Sequence, residues 1–185
     1  MNDTQRQMHS SYWIFLKSAR KYSDADLLRE FGLSDYLRTS WPNELEGLIT
    51  LKRSRTVAFG SSGEWTCVVD DRFYTLWNMH TTRPTLARLA GSCDVFSYSL
   101  GDCNNSHDLV YYRDGQLVRK YVVIDSPEGG QQEVFESIGE PINGESQTLD
   151  FVDFQRGITA VGQLLGFSTS YKIADLRFYT KLFEL

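Results

Sequence analysis

The sequence predicts an α+β fold in which N-terminal helices and a C-terminal helix pack on a central antiparallel β-sheet. Short runs of β-branched and aromatic residues recur between residues 48 and 138 and are separated by polar or glycine-containing turns. Apolar residues at helical spacing lie on both sides of this region. The chain has 185 residues, 41% of them hydrophobic, which is enough to bury a sizeable core. We therefore expect one domain over 1–185, with a helical part over 1–46, a sheet core over 47–140 and a C-terminal helix with a docked tail over 147–185.

Two helices are expected in the N-terminal part. The first runs from about residue 10 to residue 21, with Trp13 and Leu16 on neighbouring turns. The second follows Ser23, which lies three residues before Asp26 as in a capping box. Gly32 can end this helix in the left-handed conformation.

The sheet region contains one helix and one well-marked hairpin. Residues 83–91 begin Arg-Pro and end in glycine, the asymmetry expected of a helix. Asp114-Gly115 favours a type I′ turn that pairs Tyr112 with Leu117 and Val110 with Arg119. Both faces of this hairpin are largely apolar, so we expect it to be central in the sheet.

The last helix begins near Thr148. Asp150 and Asp153 lie in its first turn, where the helix dipole favours anions, and Gly166 can terminate it. The apolar tail beyond it is expected to dock as a short helix or strand.

The charge distribution is strongly asymmetric. Residues 121–185 carry a formal charge of −6, whereas the whole chain carries −5. The stretch Tyr121–Gln155 contains eight carboxylates with no Lys or Arg. Such a field attracts basic proteins and repels phosphates, so we predict a protein partner and no nucleic acid. The segment around Glu133 and Glu136 alternates so that acid lies on both faces, which favours a sheet edge.

Other functional classes leave little trace in the sequence. The five-residue apolar run at 12–16 is too short to span a membrane and lacks the order of a signal peptide, so we predict a cytoplasmic protein without membrane contact. Three cysteines without a C-x-x-C pair indicate free thiols. The three histidines are scattered, and Gly60-Ser61-Ser62-Gly63 lacks the lysine of a phosphate-binding loop. We therefore predict no metal and no cofactor.

The loop from Asp102 to Asp108 is the best candidate for chemistry. Its oxygen-bearing residues resemble the start of a calcium loop, but His107 stands where glycine is needed and Arg113 where glutamate is needed. Cys103 and His107 can also be considered as a nucleophile and base with Asp108 as orienter. A polar connection between two strands remains the simplest interpretation.

One resemblance to a known group of proteins emerges from the hairpin. Residues 112–119 read Tyr-Arg-Asp-Gly-Gln-Leu-Val-Arg and are followed by an acidic segment and by Gly139-Glu140-Pro141. Over about residues 64–145 this pattern resembles bacterial immunity proteins of polymorphic toxin systems and related small uncharacterised bacterial families. The resemblance implies a cytosolic inhibitor that binds a cognate toxin and blocks its active site.

Three functional hypotheses follow. The first is a non-enzymatic immunity-type inhibitor whose carboxylates meet basic residues of a toxin or another basic protein; the candidates are Glu128, Glu133, Glu136, Glu140 and Glu145. The second is a small enzyme with a site around residues 102–108, and the third is an adaptor or scaffold.

Overall fold

The computed structural model describes residues 11–39, 54–71, 75–76, 82–100, 106–125, 132–146, 150–169 and 175–182. In chain order the elements are β1 (Ser11–Lys17), α1 (Asp24–Glu30), β2 (Leu37–Thr39), β3 (Ser54–Ser62), β4 (Trp65–Asp71), α2 (Thr82–Leu89), β5 (Asp94–Leu100), β6 (His107–Arg113), β7 (Gln116–Asp125), β8 (Gln132–Ile138), α3 (Phe151–Leu165) and β9 (Arg177–Leu182). The described strands form one large antiparallel sheet in the order β2-β9-β3-β4-β1-β5-β6-β7-β8.

Each face of the sheet has its own hydrophobic core. On the α3 face, Phe15 packs with Phe154 and Ile158 of α3. On the α1/α2 face, Ile14 packs in the same cluster as Leu27 of α1 and with residues of α2. The fold is thus α+β but dominated by its sheet, with helices on both sides.

The prediction of a helix over residues 10–21 is wrong, because Ser11–Lys17 form β1, with four strands on each side. The consecutive residues from Tyr12 to Leu16 are all buried, and they alternate between the two cores. A continuous apolar run fits a strand covered on both faces, whereas an amphipathic helix would have left polar residues at intervals. The sheet therefore extends beyond the expected range of 47–140, since β1, β2 and β9 lie outside it.

The helix after Ser23 is confirmed. The Ser23 hydroxyl accepts a hydrogen bond from the backbone N–H of Asp26, whose carboxylate accepts one from the N–H of Ser23, and Gly32 has a φ of +69°. The guanidinium of Arg177 in β9 donates two hydrogen bonds of 2.7 Å to the Asp24 carboxylate. This contact holds the start of α1 against the sheet.

The hairpin formed by β6 and β7 is confirmed in its turn but not in its position. Asp114 and Gly115 have φ values of +52° and +76°, as a type I′ turn requires, and Tyr112 pairs with Leu117. A bulge then shifts the register, so Val110 pairs with Lys120 instead of Arg119. The two strands are the seventh and eighth of the sheet, so the prediction of a central hairpin is wrong. Its α1/α2 face is only half-buried because α1 and α2 cover strands nearer the middle.

The remaining helices agree with the sequence pattern. Pro84 lies in the first turn of α2. Asp150 caps α3 by accepting a hydrogen bond from the N–H of Asp153, and Gly166 ends it with a φ of +85°. The apolar tail docks as β9 between β2 and β3.

Some predicted features lie outside the described residues. These are the first of the short strand-like runs (residues 48–51), most of another such run (residues 73–77), Cys103 and Glu128. Within the part of the chain that the structure describes, no helix is long and apolar enough to cross a membrane.

Candidate protein-binding surface

Strand β8 lies at one end of the series of described strands and carries two of the predicted carboxylates, Glu133 and Glu136. Among the described strands, only β7 pairs with it. The prediction that this acidic segment forms an edge strand is therefore confirmed. Its residues are mostly exposed, including Val134 (47%), Phe135 (67%) and Ile138 (42%). Large apolar side chains are unusual on an exposed edge, where natural sheets more often place charges or proline.

A bulge decides which way the acidic side chains of β8 point. Glu136 lies opposite Val122 and Glu133 lies opposite Ile124, with Phe135 as the extra residue between them. Because Val122 and Ile124 are two residues apart in β7, Glu133 and Glu136 share one face. The expectation of acid on both faces is therefore wrong, since strict alternation takes no account of the bulge.

We name Glu133, Glu136 and Glu140 the acidic edge. Glu133 and Glu140 are exposed. Glu136 forms a salt bridge with Lys120 of β7, and its side chain remains 30% exposed. The acidic edge therefore carries two exposed carboxylates and one that is partly neutralised.

Glu145 does not belong to this surface. Its side chain and that of Arg119 are each 1% exposed. Nε of Arg119 donates to both carboxylate oxygens at 2.9 and 3.0 Å, and Nη2 donates to Oε1 at 2.6 Å. The backbone N–H of Ile142 donates a further hydrogen bond of 2.9 Å to this carboxylate. Nη1 of Arg119 donates to oxygens at the end of β8, those of Ser137, Ile138 and Gly139. The pair is thus a fully hydrogen-bonded internal bridge, the form in which buried charges are tolerated.

The two parts of the sequence pattern, the hairpin at residues 112–119 and the turn at Gly139-Glu140-Pro141, meet at the Arg119–Glu145 pair. Gly139 has a φ of +76°, and a Cβ atom there would lie 2.0 Å from the carbonyl oxygen of Val118. The turn after β8 therefore packs directly on β7, the second strand of the hairpin. Arg119 of β7 donates a hydrogen bond of 3.1 Å to the carbonyl oxygen of Gly139. These motif residues hold β7 and β8 together.

The 102–108 loop is only partly described, but the side chains of its last two residues, His107 and Asp108, lie on opposite faces of the sheet. The His107 ring is 1% exposed and lies on the α3 face, with its centroid 4.1 Å from that of Phe154. Asp108 follows in the strand and lies opposite Val122, on the other face of the sheet. The arrangement in which Asp108 orients His107 as a base is therefore absent, while Asp102 and Cys103 lie outside the described residues.

A polar row crosses the α1/α2 face and was not expected from the sequence. Asp70, Tyr12, Ser99 and Asp108 are successive register partners on four adjacent strands. Burial, together with the carboxylate of Asp108, raises the pKa of Tyr12 above its usual range. A cavity of about 390 Å³ lies at the Asp108 end of the row and extends past Arg83 to Glu136. The four residues of this row are far apart in sequence, so predicting that they are neighbours would have required the order and register of the strands.

A second cavity of about 720 Å³ lies between the turns at the opposite end of the strands. Its lining includes Lys17, Lys21 and Cys93. Lys17 forms a 2.7 Å salt bridge with Glu64. Burial raises the pKa of the Cys93 thiol to about 11, which leaves it protonated and unreactive at neutral pH. Cys67 is also a buried free thiol, so the prediction of free thiols is confirmed for these two cysteines.

No group of three or more His, Cys, Asp or Glu residues within the described ranges is arranged to hold a metal ion. Comparison with protein-family models, with curated proteins and with solved structures found no protein that matches this chain.

Proposed function

We propose that this chain is a non-enzymatic cytoplasmic binding protein of the immunity-inhibitor kind, which binds a basic protein such as a cognate toxin through the acidic edge. The observation that carries the proposal is the composition of β8, in which Glu133 and Glu136 share a face beside the exposed side chains of Val134 and Phe135. Exposed apolar residues bordered by charges of one sign are typical of surfaces that bind proteins.

The charge of the acidic edge defines the chemistry of the partner. Lys120 already neutralises part of Glu136, which leaves Glu133 and Glu140 as the carboxylates most available to lysine or arginine residues of a partner. A partner with a basic active site would be drawn to this end of the sheet by long-range attraction. Glu128, the remaining predicted carboxylate, lies outside the described residues.

The experiment is a protection assay with the protein encoded by the reading frame that adjoins this gene. Cells that make this protein should stop growing, and co-production of the chain should restore growth. The double variant Glu133→Lys/Glu140→Lys should lose protection. It should also slow association at low salt by ~10–10³-fold, a difference that salt should abolish.

A matched control separates the effect of charge at the acidic edge from the effect of the total charge of the protein. Asp175→Lys makes the same change in net charge as Glu133→Lys alone, at an exposed position away from β8, and should retain protection, whereas Glu133→Lys should weaken it. Equal loss in these two single variants, or no loss in any variant that carries Glu133→Lys, would contradict the proposal. An adjoining product that does not arrest growth but still binds the acidic edge would indicate an adaptor.

A further inference from the structure

We infer that the partner binds by strand addition: an extended segment of alternating basic and β-branched residues pairs with the outer edge of β8 and becomes a tenth strand. This inference rests on the proposed function and specifies how the acidic edge is used. Strand addition draws affinity from backbone hydrogen bonds and specificity from the side chains that alternate beside the edge.

The first argument is the length and position of β8. Among the described strands, the sheet ends in β8 on one side and in β2 on the other, and within the described residues β2 has three residues whereas β8 has seven. Three residues give too short a ladder to hold a strand from another protein, while seven match an ordinary strand. Of the two end strands, β8 is therefore the one that can serve as a template.

The second argument is the pattern of side chains along β8. The bulge at Phe135 puts Glu133 and Glu136 on one face, opposite residues that are two apart in β7. An added strand without a bulge would likewise place residues two apart opposite these glutamates. Lysine or arginine at those two positions forms cross-strand pairs of opposite charge, and the residue between them lies on the face of Val134. The edge thus selects a basic-apolar-basic sequence.

The third argument excludes a second copy of the chain as the occupant. Two copies of β8 paired edge to edge would bring the Glu133 and Glu136 side chains of each copy beside those of the other. Like charges directly across a sheet are destabilising. The same carboxylates that favour a basic strand therefore discourage self-association, although Val134, Phe135 and Ile138 are exposed.

The probe is a synthetic seven-residue peptide of alternating lysine and valine with blocked ends. We expect it to bind the full chain and to protect amides of β8 from hydrogen exchange, as measured by NMR. A peptide of the same composition in which lysines are adjacent should bind at least about tenfold more weakly. Glu133→Lys/Glu136→Lys should reverse the preference and bind the corresponding glutamate-valine peptide.

Backbone methylation makes the test specific for strand addition. Only alternate N–H groups of an added strand face the sheet. Methylating the amide nitrogens of the three valines or of three lysines should therefore give opposite results, with one set tolerated and the other weakening binding by about tenfold or more. Equal sensitivity of the two sets would contradict strand addition.

The outcomes distinguish this inference from the function on which it rests. Binding that depends on Glu133 but not on peptide alternation or methylation overturns strand addition and leaves the acidic edge as a charged surface. Protection of β2 amides, or dimerisation of the chain through β8, also overturns it. If no peptide binds while the protection assay succeeds, the partner does not use an extended basic segment. Failure of both experiments removes the proposed function as well.

Discussion

At the scale of single residues, the buried pair of Arg119 and Glu145 matters most for the stability of the β8 end. Glu145→Ala would leave the Arg119 guanidinium buried without its carboxylate, and breaking a buried pair on one side costs about 3–5 kcal/mol. Glu140→Ala, on the exposed turn nearby, should change stability by less than about 0.5 kcal/mol. Urea denaturation of both variants measures the difference. A small loss for Glu145→Ala would mean that water or another group replaces the carboxylate.

Gly139 tests the close approach between the turn after β8 and strand β7. Gly139→Ala must accommodate a Cβ atom 2.0 Å from the carbonyl oxygen of Val118 as well as a positive φ. Gly32→Ala has a similar positive φ but nothing within 4 Å of the new atom. The control should lose about 1–2 kcal/mol from the left-handed conformation alone, and Gly139→Ala should lose distinctly more. Equal losses in thermal denaturation would show that the turn moves away freely.

At the scale of elements, the cap of α1 predicts a pH dependence. Hydrogen bonds from the hydroxyl and N–H of Ser23, and from Arg29, lower the pKa of Asp26 to about 2. The carboxylate in an unfolded chain titrates near ~3.9, so the folded-state pKa is the lower one. Stabilisation by Asp26 is therefore complete above about pH 4 and disappears as the pH falls towards 2. Asp26→Asn should flatten the decline of the urea midpoint over that range. An unchanged slope would assign acid sensitivity to other groups.

Elements defined by local chemistry were predictable from the sequence. The cap at Ser23 and the turn at Asp114-Gly115 each depend on residues within four positions of each other. By contrast, the apolar run of β1 was read as a helix, because five consecutive buried residues carry no period of their own. Its identity as a strand is set by β4 and β5, which pair with it from distant parts of the chain.

The candidate site divides in the same way. The acidic segment followed from composition, and its edge position was predicted correctly although the alternation of acid on both faces, from which it was drawn, is wrong. The bulge at Phe135 and the burial of Glu145 were not predicted. A bulge depends on how β7 and β8 fit together, and the buried Glu145 carboxylate is paired with Arg119, which lies 26 residues earlier in the chain. Pair formation across such distances has no signature in a single sequence.

At the scale of the whole molecule, one sheet separates two cores, so every strand with apolar residues on both faces links them. β1 contributes Phe15 to the α3 face and Ile14 to the α1/α2 face, and both side chains are 0% exposed. If the sheet unfolded, the apolar residues of both cores would be exposed to water together. We therefore expect the described fold to unfold in one cooperative transition.

Two matched variants test this coupling, one in each core. Leu27→Ala in α1 and Ile158→Ala in α3 each remove a side chain that is at most 2% exposed, and each should cost about 2–5 kcal/mol. If the cores are coupled through the sheet, either variant should lower the urea midpoint by the same amount whether unfolding is followed by tryptophan fluorescence or by far-ultraviolet circular dichroism. Separate midpoints for the two signals, or a second transition in one variant only, would show that a helical layer detaches while the sheet and the opposite core persist.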